Sequence, residues 1–286
     1  MKFRSIYGVD FSGAKLAGRN IWIARAEPHS TSRRRRVPPL RLVELACLED
    51  LCGSAEREPA LRQLVELVAS SRDALWGMDF PFGFPIEVMD DGCTWLGQLR
   101  LLSGWAENAY ELGLWCLERA KALGGPMHIK RTTDVEAKTP FDCYHYRIIY
   151  QAFYGMRHVL APLSRKRQTA ILPFQYARLR NAKQVVMEAC PASTLKRLSI
   201  PHQNYKQPAG GPLTPIRLRT RRTILSRLAP LVAIDDRHRR VMMRNGGGDA
   251  IDAVIAAVGT HWGWTNADHR AIARHERYPR EGYLYV

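Results

Sequence analysis

Long apolar runs are missing from this 286-residue chain. No stretch approaches the roughly 20 residues that a membrane helix needs, so a spanning protein is not expected. The first residues, "MKFRSIYGVDFSG", contain no apolar segment ahead of a cleavage site, and a cytoplasmic protein is the expectation. Paired cysteines are missing too. Cys47, Cys52, Cys93, Cys116, Cys143 and Cys190 form no C-x-x-C and fit no zinc-finger spacing with histidine. That excludes the common thiolate metal motifs and leaves six small, buried or half-buried thiols. Internal repeats and low-complexity tracts are also absent. The linkers are too short to mark off a second domain, so residues 1–286 are read as one domain. Finally, acids are scarce: 27 Asp and Glu stand against 43 Lys and Arg, for a net charge of +16.

The basic excess is clustered. It lies in "SRRRRVPP" (32–39), "SRKRQ" (164–168), "RLRNAK" (178–183), "RLRTRR" (217–222) and "DRHRR" (236–240). One such cluster is ordinarily a solvated face. Five of them attract polyanions and make nucleic acid, DNA or RNA, the expected partner.

The apolar pattern opens with strand-like segments. "RSIYGVDF" and "NIWIARAE" (20–27) are joined by a short loop and read as a hairpin; "LRLVELACLED" (40–50) reads as a third strand. Residues 59–71 place Leu61, Leu64, Val65 and Val68 at helical spacing. "ALWGMDFPFGFP" (74–85) is a strand running into a Pro/Gly stop. Three antiparallel strands, a crossover helix and a parallel fourth strand open a mixed α/β sheet. Residues 86–168 read as a helical insertion, helical over 95–123 and 146–160 and loop-like over 128–142. Strands are then expected at 169–174 and 183–191, helices at 214–229 and 246–264, and a terminal strand at 281–286.

Against this background the position of the few acids is informative. Asp10 ends the first strand in "YGVDFSG". A carboxylate at the tip of a core strand is costly unless it meets a metal ion, a helix N-terminus, a Lys or Arg, or solvent. Asp79 in "WGMDFPFG" and Glu188 in "VVMEACP" sit in similar settings. Asp249 and Asp252 in "GGGDAIDAVIAA" share one helix face at i and i+3. Each has an ordinary role available as turn former or helix cap. Together, carboxylates from two strand tips and one helix can converge on one point. They cannot all stay ionised there without cations, and hard oxygen donors favour Mg²⁺ or Mn²⁺. Two such ions about 4 Å apart suit phosphodiester hydrolysis.

The segments "YGVDFSGAKLAGRNIWIA", "WGMDFPFGFP", "GGDAIDAVIAAVGTHWG" and "EGYLYV", with "KRTTDVEAKTPFD" and "YQAFYGM" inside the insertion, resemble a family catalogued as a domain of unknown function and described as predicted RNase H-like nucleases. The resemblance covers nearly the whole chain. It implies an RNase H-like mixed sheet, three antiparallel strands then parallel strands flanked by helices, and a catalytic acid set at Asp10, Asp79, Asp249 and Asp252. The D-x-x-D on the last helix looks more like the Holliday-junction-resolvase branch than like RNase H itself. Resolvase-type enzymes that cut symmetrically act as dimers, so a homodimer is one expectation. Glu188 stands at a fifth-strand position and ranks below the other four as a metal ligand.

The leading expectation is thus a Mg²⁺- or Mn²⁺-dependent nuclease. Asp10 would bridge two metals held with Asp79, Asp252 and Asp249, while Ser12 and Lys15 contact a phosphate. Lys130, Arg131 and Lys138 in the insertion loop are candidates to grip the substrate backbone. Tyr and Trp side chains of the insertion are further candidates to stack bases. Two alternatives stand beside it: a non-catalytic nucleic-acid-binding protein on the same fold, and an ATP-dependent phosphotransferase of the actin-like or sugar-kinase type, whose first strand also ends in Asp before a phosphate-binding hairpin.

Overall fold

The computed structural model describes residues 2–29, 37–207 and 210–286. Seven strands form one sheet in the order β5–β6–β4–β1–β2–β3–β7. They are β1 (Ser5–Asp10), β2 (Trp22–Pro28), β3 (Leu40–Cys47), β4 (Ala74–Asp79), β5 (Thr169–Ile171), β6 (Gln184–Glu188) and the two-residue β7 (Val232–Ala233). β1, β2 and β3 are antiparallel neighbours, whereas β4 lies parallel to β1, and β6, β5 and β7 extend the sheet in parallel. With helices on both faces, this is the mixed α/β sheet that the order of strands predicts, in the RNase H-like arrangement that the family resemblance implies.

Strand alternation divides the core in two. On one face Ile6, Leu75, Val185 and Met187 pack against the helix Asp249–Asn266, which is buried without interruption from Ala250 to His261. On the other, Val9, Trp76 and Met78 meet Leu61, Leu64 and Val68 of the helix Arg57–Ser70. That face also receives the insertion, so Trp95, Leu99, Leu112 and Phe153 share a continuous core with the sheet. The insertion is therefore packed along this face of the sheet.

Two glycines set how closely the central helix lies on the sheet. A Cβ on Gly8 would overlap the carbonyl of Ala253, and one on Gly77 would overlap the Thr260 hydroxyl. Gly8 and Gly77 are paired across β1 and β4, two residues before Asp10 and Asp79. Close approach at this row brings the first turn of the helix to the strand tips.

Several boundaries differ from expectation. The helix predicted over 95–123 is two, Trp95–Gly104 and Ala109–Ala122, because Asn108 leaves helical geometry and its side chain caps the amides of Tyr110 and Glu111. The segment 128–142 contains the short helix Thr132–Glu136, and the helix expected from 146 begins at Ile149. β5 ends at Ile171, two residues before Pro173, which carries no amide donor to extend the ladder. The expected terminal strand is reduced to one bridge, Leu284 with Glu188. Its first residue, Glu281, belongs to the helical turn Tyr278–Glu281, and Gly282 at φ +96° redirects the chain. Within 32–39, residues 32–36 of the first basic cluster lie outside the described residues. Among the described residues no helix is long and apolar enough to cross a membrane.

Candidate active site

Asp10 and Asp79 pair directly in the register of β1 and β4. In-register neighbours on adjacent strands project the same way, with backbones about 4.8 Å apart. Both carboxylates therefore leave the sheet on the side of the central helix. That helix starts at Asp249 after Gly248, whose φ of +90° suits glycine, and its first turn presents Asp249 and Asp252. All four side chains line one cavity of about 730 Å³. Two strands and one helix, distant in sequence, thus deliver four acids to a common space.

The electrostatics follow from this crowding. Burial raises the pKa of Asp10 well above the carboxylate range; Lys206 opposes the rise, and Asp252, Asp79 and Asp249 add to it. Asp79 is pushed up to about 8, first by desolvation and then by Asp252, with Lys206 again opposing. Desolvation also raises Asp249, against Lys206 and a hydrogen bond from Asn245. Asp252 is 1% exposed and fully engaged: the Tyr205 hydroxyl donates to its Oδ1 at 2.7 Å, and the Lys206 ammonium pairs with its Oδ2. Among the described residues Asp10 and Asp79 form no ion pair and accept no side-chain hydrogen bond. Of the four ways to satisfy a strand-tip acid, the fold supplies a lysine, shared among several carboxylates.

Lys206 and Tyr205 come from "HQNYKQ" (202–207), a polar loop with no periodicity to single it out. The loop is held by Arg221, itself fully buried. Its guanidinium donates to the carbonyls of Tyr205 at 2.6 Å, Met242 at 2.9 Å, Asn245 at 2.6 Å and Gly246 at 2.7 Å. One arginine of the "RLRTRR" cluster is therefore a brace tying the Lys206 loop to the glycine turn before Asp249. Asn245 adds a second tie, accepting from the amides of Gly248 and Ala250. His202, Gln203, Asn204 and Arg217 complete this wall of the cavity.

Glu188 does not join the four acids, although it lines the same cavity. It pairs in register with Met78, one residue short of Asp79, so alternation turns it to the opposite face of the sheet. There its Oε1 accepts from Arg131 Nη2 at 2.5 Å, and its Oε2 accepts from Arg131 Nη1 at 2.9 Å and from the Phe82 amide at 3.0 Å. Arg131, 1% exposed, also makes a two-pronged pair with Asp134 and donates to the Glu281 carbonyl. This corrects two expectations: Glu188 is engaged by Arg131 and the Phe82 amide on the other face of the sheet, and Arg131 is spent inside the protein rather than available to a substrate backbone.

The other substrate candidates are dispersed. Ser12 lines the cavity, and its Oγ accepts from the Ala14 amide at 3.3 Å. Lys15 is exposed on the loop after β1 and does not line the cavity. Lys130 donates to the Thr139 carbonyl at 2.6 Å, and Lys138, exposed at φ +53°, offers its carbonyl to Lys196 at 2.6 Å. These two brace the rim of the insertion loop, whose residues Thr139, Pro140 and Phe141 reach the cavity.

As donors, four carboxylates are hard oxygen ligands of the kind Mg²⁺ and Mn²⁺ take. The raised pKa values of Asp10, Asp79 and Asp249 mark a pocket short of positive charge, with the Lys206 ammonium opposing the rise at each. In this lysine-neutralised arrangement no set of three or more His, Cys, Asp or Glu among the described residues is drawn together tightly enough to cage an ion. The donor chemistry fits divalent metal, and Asp252 has Lys206 as its competitor. Comparison with protein-family models, curated proteins and solved structures finds no match to this chain.

Proposed function

We propose that the protein is a divalent-metal-dependent nuclease of the RNase H-like type, a member of the family its motifs resemble. The observation that carries this is the convergence of Asp10, Asp79, Asp249 and Asp252 in one cavity with Lys206 as their shared counter-charge. Asp10, Asp79 and Asp252 would hold Mg²⁺ or Mn²⁺, with Asp249 beside them. When bound, the metals supply activation of the attacking water and stabilisation of the leaving oxygen. The chain's own contribution is placement. Paired register aligns Asp10 with Asp79, the glycine row seats the helix, and Tyr205 holds Asp252 through its Oδ1. Ser12 offers a hydroxyl to a phosphate beside Asp10.

The test is cleavage of mixed single- and double-stranded DNA and RNA with Mn²⁺, comparing the wild type with Asp10→Asn. Metal-dependent cleavage that the substitution abolishes, with folding intact, is the expected result. Equal activity in both removes Asp10 from the chemistry. Binding without cleavage under any divalent metal would instead favour a non-catalytic nucleic-acid-binding protein. The small-molecule size of the cavity favours a second reading, an ATP-dependent phosphotransferase of the sugar-kinase type; saturable ATP hydrolysis without nucleic acid would establish it.

A further inference from the structure

The acid cavity is roofed on one side and open to solvent on the other. The loop carrying Thr139, Pro140 and Phe141 and the helix Ile149–Gly155, through Gln151, close it from the insertion side. The roof is latched to the catalytic strand: Gln151 Nε2 donates to the Phe11 carbonyl at 2.9 Å, and Gly13 lies so close to the Tyr150 carbonyl that a Cβ would overlap it. A volume of about 730 Å³ is that of a small-molecule pocket, commonly about 300–1,000 Å³. A space of that size holds one unpaired nucleotide more readily than an intact base pair.

A row of rings leads from this cavity to solvent. Phe141 lines the cavity and stacks on His145 with centroids 4.3 Å apart at 24°. His145 lies against Tyr146 at 4.4 Å, and Tyr146 is 63% exposed. The Arg147 guanidinium sits 5.4 Å from the Phe141 centroid and 5.5 Å from that of Tyr146, and its Nε donates to the Tyr146 hydroxyl at 3.0 Å. The base of the row is fixed by His128, 5.5 Å from His145 and hydrogen-bonded to buried Asp142 at 2.8 Å. Alternating aromatic and guanidinium surfaces beside a phosphate-cleaving site, on a chain of net charge +16, match unpaired nucleobases on a polyanionic backbone.

We infer that this site takes a single, unpaired nucleic-acid strand, whose bases stack along Phe141, His145, Tyr146 and Arg147 while one nucleotide enters the acid cavity. The inference rests on the nuclease function proposed above and names its substrate class. The backbone carries the salt-dependent part of binding and the rings the salt-independent part.

The test is fluorescence-anisotropy binding in EDTA, where metal-dependent cleavage does not occur. The probes are labelled oligothymidylate, labelled oligouridylate and a DNA duplex of the same length. The wild type is compared with Tyr146→Ala and Tyr146→Phe, with thermal melting as the check on folding. Single strands are expected to bind more tightly than the duplex at equal salt. Tyr146→Ala should weaken single-strand binding roughly ten-fold without changing its salt slope, and Tyr146→Phe should restore it. Stronger binding of one oligonucleotide assigns DNA or RNA. Duplex binding equal to or tighter than single-strand binding, or an unaffected Tyr146→Ala, overturns the inference. Single-strand preference without metal-dependent cleavage leaves the inference standing and sinks the nuclease proposal. Asp10-dependent cleavage of duplex with no single-strand preference does the reverse.

Discussion

Two groups of acids lie on opposite faces of the same sheet, near the ends of neighbouring strands, and they are neutralised in opposite ways. Around Glu188 every negative charge has a fitted partner: Arg131 engages both Glu188 and Asp134, and Arg277 engages Glu87 and Glu281. Around Asp10 the acids outnumber their cation, and Lys206 touches Asp252 alone. The divide is a register step. Asp79 and Glu188 differ by one position along adjacent parallel strands, and period-2 alternation sends one to the central helix and the other to the insertion. A closed ion-pair network joins the insertion to β6 and the C-terminal turn. The incompletely neutralised group leaves Asp10, Asp79 and Asp249 without an ion-pair partner among the described residues.

The comparison is broken most directly at Asp10. Asp10→Asn is expected to reduce metal-dependent cleavage below detection, whereas Glu188→Gln is expected to leave residual cleavage in whatever fraction stays folded. If Glu188→Gln abolished cleavage with unchanged stability, Glu188 would belong with the metal ligands. Next in size is Arg131→Ala, which strands Glu188 in the interior. Urea denaturation should show a loss of about 3–5 kcal/mol, the usual cost of removing one partner from a buried pair. A change near zero would mean the network is solvated.

A smaller effect is expected from Lys206→Met. Without its ammonium the acid cluster depends wholly on added cation. Saturating Mn²⁺ should therefore raise the melting temperature of this variant more than that of the wild type, with about 2.7 kcal/mol available at a hundred-fold excess over the dissociation constant. Equal shifts would show that Lys206 and metal do not compete.

The smallest effect is pH-linked. Asp79 has a folded pKa of about 8, above its unfolded value of about 4. The folded state therefore holds the proton more tightly, and the associated stability is present below about pH 4 and lost as pH rises to about 8. In metal-free protein, Asp79→Asn should gain stability relative to the wild type between pH 5 and pH 8. A pH-independent difference would mean that Asp79 is not buried among like charges.

Much of the frame was legible beforehand because it rests on local patterns. Apolar alternation marked β1 to β4 within a few residues, helical spacing marked Leu61, Leu64 and Val68, and the glycines before Asp249 marked a helix start. The acids Asp10, Asp79, Asp249 and Asp252 could be named because strand ends and D-x-x-D are local features. Glu188 was grouped with them for the same reason, since "VVMEACP" and "LWGMDFPFG" read alike. No pattern within a single strand reports its register against a neighbour.

Composition and periodicity thus settled the class of sheet, the excess of positive charge and which acids stand at element ends. The burden of cations was decided in three dimensions. Register turned Glu188 away from Asp79, the Gly8–Gly77 row let the helix lower Asp252 onto the strand tips, and Arg221 drew an unremarkable loop inward to place Lys206. The physical reason is range. Propensity and alternation act over a few residues and can be read along the chain, but a pocket's charge balance sums groups that lie far apart in sequence and become neighbours only on folding.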